Sequence, residues 1–404
     1  MNIIVQKYGG SSLADPEKIK LVSERITLLS SSNTGVVVVC SAMGDTTDDL
    51  LALSHEISSN PSKREMDVLL ATGEMVSCSL VAMALSERGY PAVSLTGMQA
   101  GIQTETAHGS ARISELNPHR IIEELENGRI AVVCGFQGFT EDHELTTLGR
   151  GGSDTTAVAL AAALGATRCE IYTDVEGIYT ADPRIVSDAR KLIEIEYEEM
   201  LELAVSGAKM HPRSIELGAL FDVPILVASS FSNEKGTLIH KEANMEIQNR
   251  VRGVAADKNV SKITVRGVPD KPGIAAALFS PLAEANVSVD TIVQNASADD
   301  LTDMSFTVSR SEHESAIALV ESIISDLGFK SVSSENNLAK VSVVGTGMQN
   351  SPGYAALMFK ALSEAKVNIH MITTSEIRIT CIIDEEAVNR AVQSLHKAFE
   401  LEKE

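Results

Sequence analysis

The sequence predicts an α/β layer domain with a largely parallel sheet over residues 1–240, followed by a duplicated small α+β module. Three observations carry this reading. Up to about residue 240, short Val/Ile runs alternate with amphipathic segments of helical period, the pattern of strands joined by crossover helices. From Lys241 to Val260 the chain turns polar and loses its period, as a linker would. Beyond that point the sequence repeats itself at an offset of 80 residues.

Strands are expected at residues 2–8, 35–40, 129–134, 168–173 and 223–228. Two helix starts are legible. Asp15 sets a capping carboxylate before Pro16 at the first helical position, and Asp154 opens an Ala-rich run to Leu164. In the second region Pro272-Gly273 recurs as Pro352-Gly353, Phe279 as Phe359, Leu282 as Leu362, Glu284-Ala285 as Glu364-Ala365 and Val287 as Val367. Each copy reads as a strand, a Pro-Gly turn, a helix, two strands (near 289–296 and 302–309, or 368–374 and 377–383) and a second helix, which is a ferredoxin-like unit. The copies span 261–336 and 337–404. Such a pair serves a ligand, or only adds bulk or dimerises.

Composition removes several functions. The 34 Lys and Arg against 55 Asp and Glu leave a net charge of −21, a surface that repels phosphate backbones. Trp is absent and aromatics are 4%, so base-stacking platforms are not expected either. The longest unbroken apolar stretch, Ala157 to Ala166, is shorter than the roughly 18 residues of a membrane span, and a soluble protein without membrane partners is expected. Met1–Lys7 has no basic segment before its apolar run and no cleavage site, so no signal peptide is read there. Cys40, Cys78, Cys134, Cys169 and Cys381 are widely spaced, odd in number and without a metal pattern, which fits a reducing cytosol.

Chemistry gathers in three segments. Lys7-Tyr8-Gly9-Gly10-Ser11-Ser12 follows the first strand, where exposed N–H groups would face an anion such as phosphate. It is neither a Walker loop nor a dinucleotide fingerprint, and a Gly-Gly pair after a strand also makes a plain tight turn. Thr147-Leu148-Gly149-Arg150-Gly151-Gly152-Ser153-Asp154 is a second glycine-rich turn, whose arginine is placed to fork a carboxylate. Asp154 alone has a structural alternative, that of a helix cap. The third segment, Tyr172 to Arg184, leaves the C-terminal end of a strand, where open α/β sheets bind ligands, although a surface loop would be as polar. Ser41, Thr47, Thr72-Gly73-Glu74 on an apolar helix, and Lys209 complete the candidates.

Together these segments resemble the aspartate kinases, ATP-dependent members of the amino-acid kinase family. Lys-Tyr-Gly-Gly-Ser-Ser at 7–12, Ser-Ala-Met-Gly at 41–44, Thr-Gly-Glu at 72–74, Gly-Phe-Gln-Gly at 135–138, Thr-Thr-Leu-Gly-Arg-Gly-Gly-Ser-Asp at 146–154 and Tyr-Thr-Asp-Val-Glu-Gly-Ile-Tyr-Thr-Ala-Asp-Pro-Arg at 172–184 occur in the family's order. The one local departure is Gly44-Asp45-Thr46, just before Thr47. The resemblance implies a three-layer kinase sandwich over 1–240 and tandem ACT modules after the linker.

It further implies transfer of the ATP γ-phosphoryl group to the side-chain carboxylate of L-aspartate. In that assignment Lys7 meets the transferring phosphoryl group, and Gly9, Gly10 and Ser11 cradle phosphate oxygens. Arg150 clamps the substrate α-carboxylate, with Gly151 and Gly152 beside it. Glu74 holds the ammonium, Thr47 and Ser153 donate hydrogen bonds, Ser41 lies near the phosphate path, and Asp154 orients the lysines. Thr173, Asp174, Tyr179 and Arg184 form the nucleotide pocket, and Lys209 meets its phosphates. No histidine or cysteine pair has metal-ligand spacing, so Mg²⁺ is expected to arrive with ATP.

The same resemblance implies feedback by lysine and threonine, as in the monofunctional class regulated by both. Gly273, Ala275, Gln294, Asn368 and Ile369 would form a threonine-type site, and Asp290, Ser375 and Glu376 a lysine-type site. Homo-oligomers through the ACT modules are implied, as is a separately expressed regulatory subunit from an internal start at Met245. Two other readings stay open at this point: a kinase for glutamate, carbamate or a nucleoside monophosphate, and a non-catalytic amino-acid sensor.

Overall fold

The computed structural model describes residues 1–29, 34–241, 251–295, 301–348 and 352–403. The described chain divides into two units. The first holds Met1–Tyr179, Lys191–Val205 and the residues from Lys209 to Lys241; the second holds Thr180–Arg190, Ser206–Ala208 and the residues from Val251 onward.

In chain order the first unit contains β1 (Asn2–Tyr8), α1 (Pro16–Leu29), β2 (Thr34–Cys40), α2 (Thr46–Ile57), α3 (Lys63–Glu87), β3 (Ala92–Leu95), β4 (Ile102–Thr104), β5 (Ile113–Leu116), α4 (His119–Glu126), β6 (Ile130–Cys134), β7 (Gln137–Phe139), β8 (Leu145–Thr147), α5 (Gly152–Ala163), β9 (Arg168–Thr173), β10 (Glu194–Glu196), α6 (Tyr197–Val205), α7 (Pro212–Phe221), β11 (Ile225–Ser229) and β12 (Thr237–His240). Eight strands form one sheet in the order β10-β12-β11-β9-β1-β2-β6-β3, antiparallel only between β11 and β12. The valine run of β2 explains why this sheet is covered on both faces. Val36, Val38 and Cys40 pack with Ile19, Val22 and Ile26 of α1 and Val81 and Leu85 of α3. Val37 and Val39, also fully buried, point to the other face, where α5 lies across β1, β2 and β9. The three expected layers are therefore helices, sheet and helices. A smaller sheet, β5-β4-β7-β8, hangs beside them.

Among the described residues α3 is the one helix long and apolar enough to cross a bilayer by length and composition. It is also the core helix of this unit, because its inner face carries the buried Asp67 and Glu74 and packs against α1, β3, β6 and β8. α1 starts as read, with Asp15 Oδ1 accepting the Lys18 N–H at 2.9 Å. α5 does not: it starts at Gly152, and Asp154 lies inside its first turn, making no cap bond.

The second unit follows with β13 (Gly253–Pro269), α8 (Ile274–Glu284), β14 (Val289–Asn295), β15 (Leu301–Val308), α9 (His313–Leu327), β16 (Ser331–Val344), α10 (Tyr354–Glu364), β17 (Met371–Thr374), β18 (Arg378–Asp384) and α11 (Val388–Ala398). Its two copies share one six-stranded sheet, β14-β15-β13-β16-β18-β17. The described end of the expected 241–260 linker is strand: Gly253 to Asp257 pair with Val344 to Lys340. Its alternation was hidden because register shifts on either side of Val260 break the period of two. The first half of β13 thus completes the sheet of the second copy, while its second half begins the first. Met245 lies outside the described residues.

Each copy keeps its own core. Ile263, Val265, Leu278, Phe306 and Val320 fill the first. Val341, Val343, Leu362, Cys381 and Val392 fill the second, together with Ala181 and Val186 from the inserted 180–190 segment. Phe306 is fully buried and meets Phe279 edge-on at 5.2 Å between centroids. Phe306→Ala is expected to cost about 3–5 kcal/mol, read as a lowered urea midpoint of the second unit.

Candidate active site

Parallel pairing brings four strand ends to one rim. Tyr8 is in register with Cys40 on one side and Tyr172 on the other, and Cys40 with Cys134. The loops after β1, β2, β6 and β9 therefore leave together, at the carboxyl ends where such sheets hold ligands.

The turn after β1 is held from three sides. Gly9 N–H donates to the Tyr172 carbonyl at 3.2 Å, Ser41 N–H to the Tyr8 carbonyl at 3.1 Å, and Gly44 N–H to the Gly10 carbonyl at 3.0 Å. A Cβ on Gly10 would lie 2.9 Å from the carbonyl oxygens of Ala42 and Gly44, so only glycine lets the two turns approach this closely. Because the Gly9 N–H is already engaged, the groups left to meet an anion are the N–H of Gly10 and Ser11, which carry no hydrogen-bond partner among the described residues. Lys7 curls back over this turn: its Nζ lies 3.6 Å from where a Gly9 Cβ would stand.

The same ammonium ties the second turn to the first. Lys7 Nζ lies 2.6 Å from Asp154 Oδ1, with the two side chains 11% and 15% exposed. The aspartate expected as an alternative to be a cap is instead the partner of the lysine. The cap position belongs to Gly151, at φ 67°, where a Cβ would also run into the His211 ring. Arg150, immediately before it, is exposed and forms no hydrogen bond or ion pair among the described residues. Ser153 is buried and abuts Gly135, where a Cβ would lie 2.8 Å from its Oγ.

Glu74 closes the floor. Its Oε1 accepts the Ala42 N–H at 3.1 Å, while Oε2 is buried with no partner among the described residues. Burial, only partly offset by that backbone bond, pushes the carboxyl up to about 7. Such an orphaned carboxylate fits a cationic ligand group. Thr47 lies half-buried in the first turn of α2, on the same rim as Ser41, whose carbonyl accepts the Ser77 hydroxyl at 2.7 Å.

After β9, Lys209 Nζ meets Asp174 Oδ1 at 2.5 Å and the Thr173 hydroxyl donates to the same oxygen at 3.0 Å. Burial raises the Asp174 carboxyl, but the Lys209 and Thr173 hydrogen bonds together outweigh it and hold it below its usual range. The Tyr179 hydroxyl donates to Glu176 at 3.2 Å. Arg184 sits on the 180–190 segment of the second unit, its guanidinium on Asp182, whereas the other expected nucleotide residues belong to the first unit.

Sequence reasoning missed the clamp that positions the Arg150 turn. Asp67, fully buried, accepts the Thr147 hydroxyl at 2.6 Å, the Gly109 N–H at 3.0 Å and His108 Nδ1 at 3.0 Å. Arg213 spans the Leu148 and Ala111 carbonyls at 2.8 and 3.2 Å. The signal was present in part, since Asp67 and Glu74 are seven residues apart on one helix face.

In the second unit Gly273 caps α8 at φ 90°, Ala275 lies in its first turn, and Asp290 and Gln294 lie on β14. Asn368 and Ile369 precede β17, and Ser375 and Glu376 form the turn after it. β14 and β17 are the two outermost strands of the sheet. One apolar cluster of Val260, Leu338, Ile382 and Met371 runs across the sheet, and Val293 of β14 packs against it.

The chain matches the amino acid kinase family over residues 2–229 and the ACT domain over 263–322 and 341–399. It is 49% identical over 404 residues to Aspartokinase 2 of Bacillus subtilis (strain 168), covering 100% of this chain and 99% of that one. It belongs to the aspartokinases of the amino acid kinase family. Members are carboxyl-group phosphotransferases, and this chain is one of them. The crystal structure of E. coli aspartokinase III with aspartate and ADP, in the R-state, aligns at a TM-score of 0.85 and 27% identity, covering 99% of this chain and 100% of that one. The T-state structure of that enzyme with lysine and aspartate aligns at 0.74 and 28%, covering 98% and 99%.

Because folding raises the Glu74 carboxyl, its contribution to stability is full below about pH 4.5 and is lost as pH rises through about 7. The ligand-free protein is expected to lose about 3 kcal/mol across that window through this group. Urea unfolding at pH 5 and pH 8 should show that loss in the unmodified chain and a flattened dependence in Glu74→Gln.

Proposed function

We propose that this aspartokinase transfers the ATP γ-phosphoryl group to the side-chain carboxylate of L-aspartate, giving 4-phospho-L-aspartate and ADP. The Lys7–Asp154 pair, which joins the two glycine-rich turns, is the observation that carries the reading. An aspartate side chain is ionised at neutral pH, so it attacks phosphorus without a general base. A P–O bond to the carboxylate forms as the bond to ADP breaks, and no proton moves. The obstacle is the approach of two anions. Lys7 offsets their charge between the turns, with the Gly10 and Ser11 N–H groups turned to the phosphate oxygens. Arg150 forks the α-carboxylate, and Glu74, orphaned and buried, takes the ammonium. Ser41, Thr47 and Ser153 hydrogen-bond the ligands on the rim. Thr173, Asp174, Tyr179 and Lys209 hold the nucleotide, and Arg184 is assigned to it on the family motif alone.

Mg²⁺ travels with the nucleotide in this reading. No group of three or more His, Cys, Asp or Glu among the described residues is arranged to hold a metal, and Asp154 and Asp174 are each engaged by a lysine. When bound, the ion neutralises charge on the β- and γ-phosphate oxygens.

The reaction is the first step toward lysine, threonine and methionine, and the two ACT modules serve feedback by lysine and threonine. Gly273, Ala275, Gln294, Asn368 and Ile369 take threonine, and Asp290, Ser375 and Glu376 take lysine. The lysine complex of E. coli aspartokinase III supports the effector class. The modules join copies of the chain, and a regulatory subunit starting at Met245 pairs with the full chain. Five unpaired, buried thiols suit a reducing cytoplasm.

Three outcomes test this. Lys7→Ala is expected to lower aspartate-dependent ADP release by about a hundred- to a thousandfold with the fold intact by circular dichroism; near-normal release would refute the central role. Arg150→Lys should raise the aspartate KM with little change in kcat, because a point charge does not reproduce a bidentate fork. In a coupled assay crossed with both effectors, activity should fall with lysine, threonine or the pair, and flat activity throughout would remove the sensor reading.

A further inference from the structure

The Arg150 side chain is exposed and has no partner of its own among the described residues, so its direction is left to the backbone that carries it. That backbone is soft, since Gly149 and Gly151 flank the arginine at φ 76° and 67°. A carboxylate on another element holds the base of the turn. Thr147, the last residue of β8, gives its hydroxyl to Asp67 Oδ1 at 2.6 Å. The Gly109 N–H reaches both oxygens of the same carboxylate at 3.0 Å. The Gly109 carbonyl in turn lies 3.1 Å from where a Gly149 Cβ would stand. Asp67 therefore grips the turn twice, through Thr147 and through the loop on which Gly149 rests. Its side chain is 1% exposed, with His108 Nδ1 at 3.0 Å and no lysine or arginine paired with it among the described residues. A buried carboxylate of this kind depends on its hydroxyl and amide donors, and they are held in place by it.

On the reading that Arg150 forks the substrate α-carboxylate and Glu74 takes the ammonium, we propose that Asp67 is a positioning residue that sets the affinity for the amino-acid end of aspartate, acting through Arg150. The two ligand groups sit on one carbon atom, so the guanidinium and the Glu74 carboxylate must converge on a small space. Asp67 and Glu74 are both buried on α3, two turns apart, a separation of about 10 Å along one face at 1.5 Å per residue. This core helix thus carries both handles of the substrate, Glu74 by contact and Asp67 one step removed. A rigid element that fixes two binding groups against each other lowers the cost of aligning the ligand. The phosphate-facing turn is braced separately. Its bonds run to the Tyr172 carbonyl and to the 41–44 turn, and none runs to Asp67. The effect of Asp67 therefore falls on aspartate and not on ATP.

The test compares steady-state constants of the full chain for aspartate and for ATP, with folding checked by far-UV circular dichroism. Thr147→Val, which removes the hydroxyl at nearly constant volume, should raise the aspartate KM about tenfold while kcat and the ATP KM stay within about twofold. Asp67→Asn should do at least as much. Thr147→Ser, which restores the donor, should return most of the affinity. Combined with Arg150→Ala, Thr147→Val should raise the aspartate KM no further, because the group it positions is gone. An unchanged aspartate KM in folded Thr147→Val, where Arg150→Ala alone raises it, would overturn the role of Asp67 and leave that of Arg150 standing. Equal rises for aspartate and ATP, or a further rise in the Arg150→Ala background, would make Asp67 a general brace and overturn the proposal too. If Arg150→Ala itself left the aspartate KM unchanged, the reading of Arg150 would fall, and this role with it.

Discussion

A single lysine near the middle of the sheet governs this molecule. Lys7 stands at the end of β1, with β2 on one side and β9 on the other, and its ammonium is drawn onto Asp154 in the first turn of α5. That contact crosses from the sheet layer to the helix layer, so the loop that carries Arg150 cannot drift from the loop that carries Gly9 and Gly10 without separating a largely buried pair. Removing one partner of such a pair leaves an uncompensated charge, which is far more costly than the net worth of the pair itself. The arrangement holds a positive charge ready in a protein that is otherwise strongly acidic.

Support for that charge comes from below. Gln6 Nε2 donates to Glu170 at 2.7 Å, the Tyr172 hydroxyl donates to the same oxygen at 3.1 Å, and the Tyr8 and Tyr172 rings stack at 5.0 Å. These groups alternate with the site residues along β1 and β9, facing the opposite side of the sheet. A fully buried polar network of this kind fixes the strand register on which every loop at the rim depends.

Much of this was legible in the residues. Strands β1, β2, β6, β9 and β11 announced themselves because their valine and isoleucine runs are largely buried, and Asp15-Pro16 started α1 where it was read. β13 was not legible in its first half, since a strand with two register shifts has no stable period to detect. At the site, Lys7, Glu74 and Asp154 came from motif and charge, and the structure joins Lys7 to Asp154. Glu74 stood out because a carboxylate on an apolar helix needs a reason. Asp67 gave the same signal, but its partners Thr147, Gly109 and His108 lie tens of residues away, and only the tertiary fold brings them together. Gly9 looked like a phosphate contact until the neighbouring strand claimed its N–H.

The inserted segment from Thr180 to Arg190 has a consequence for how the two halves can be separated. Ala181 and Val186 are part of the hydrophobic core of the second ACT module, Thr180 meets His396 at 2.9 Å inside it, and the Ile185 carbonyl accepts from Gln393. A cut near residue 245 would therefore not fall between two finished pieces. The upstream fragment would carry away a plug it cannot bury, and the downstream fragment would be left with a socket. Any polypeptide made of the ACT region alone must repack that hollow or recruit a substitute stopper.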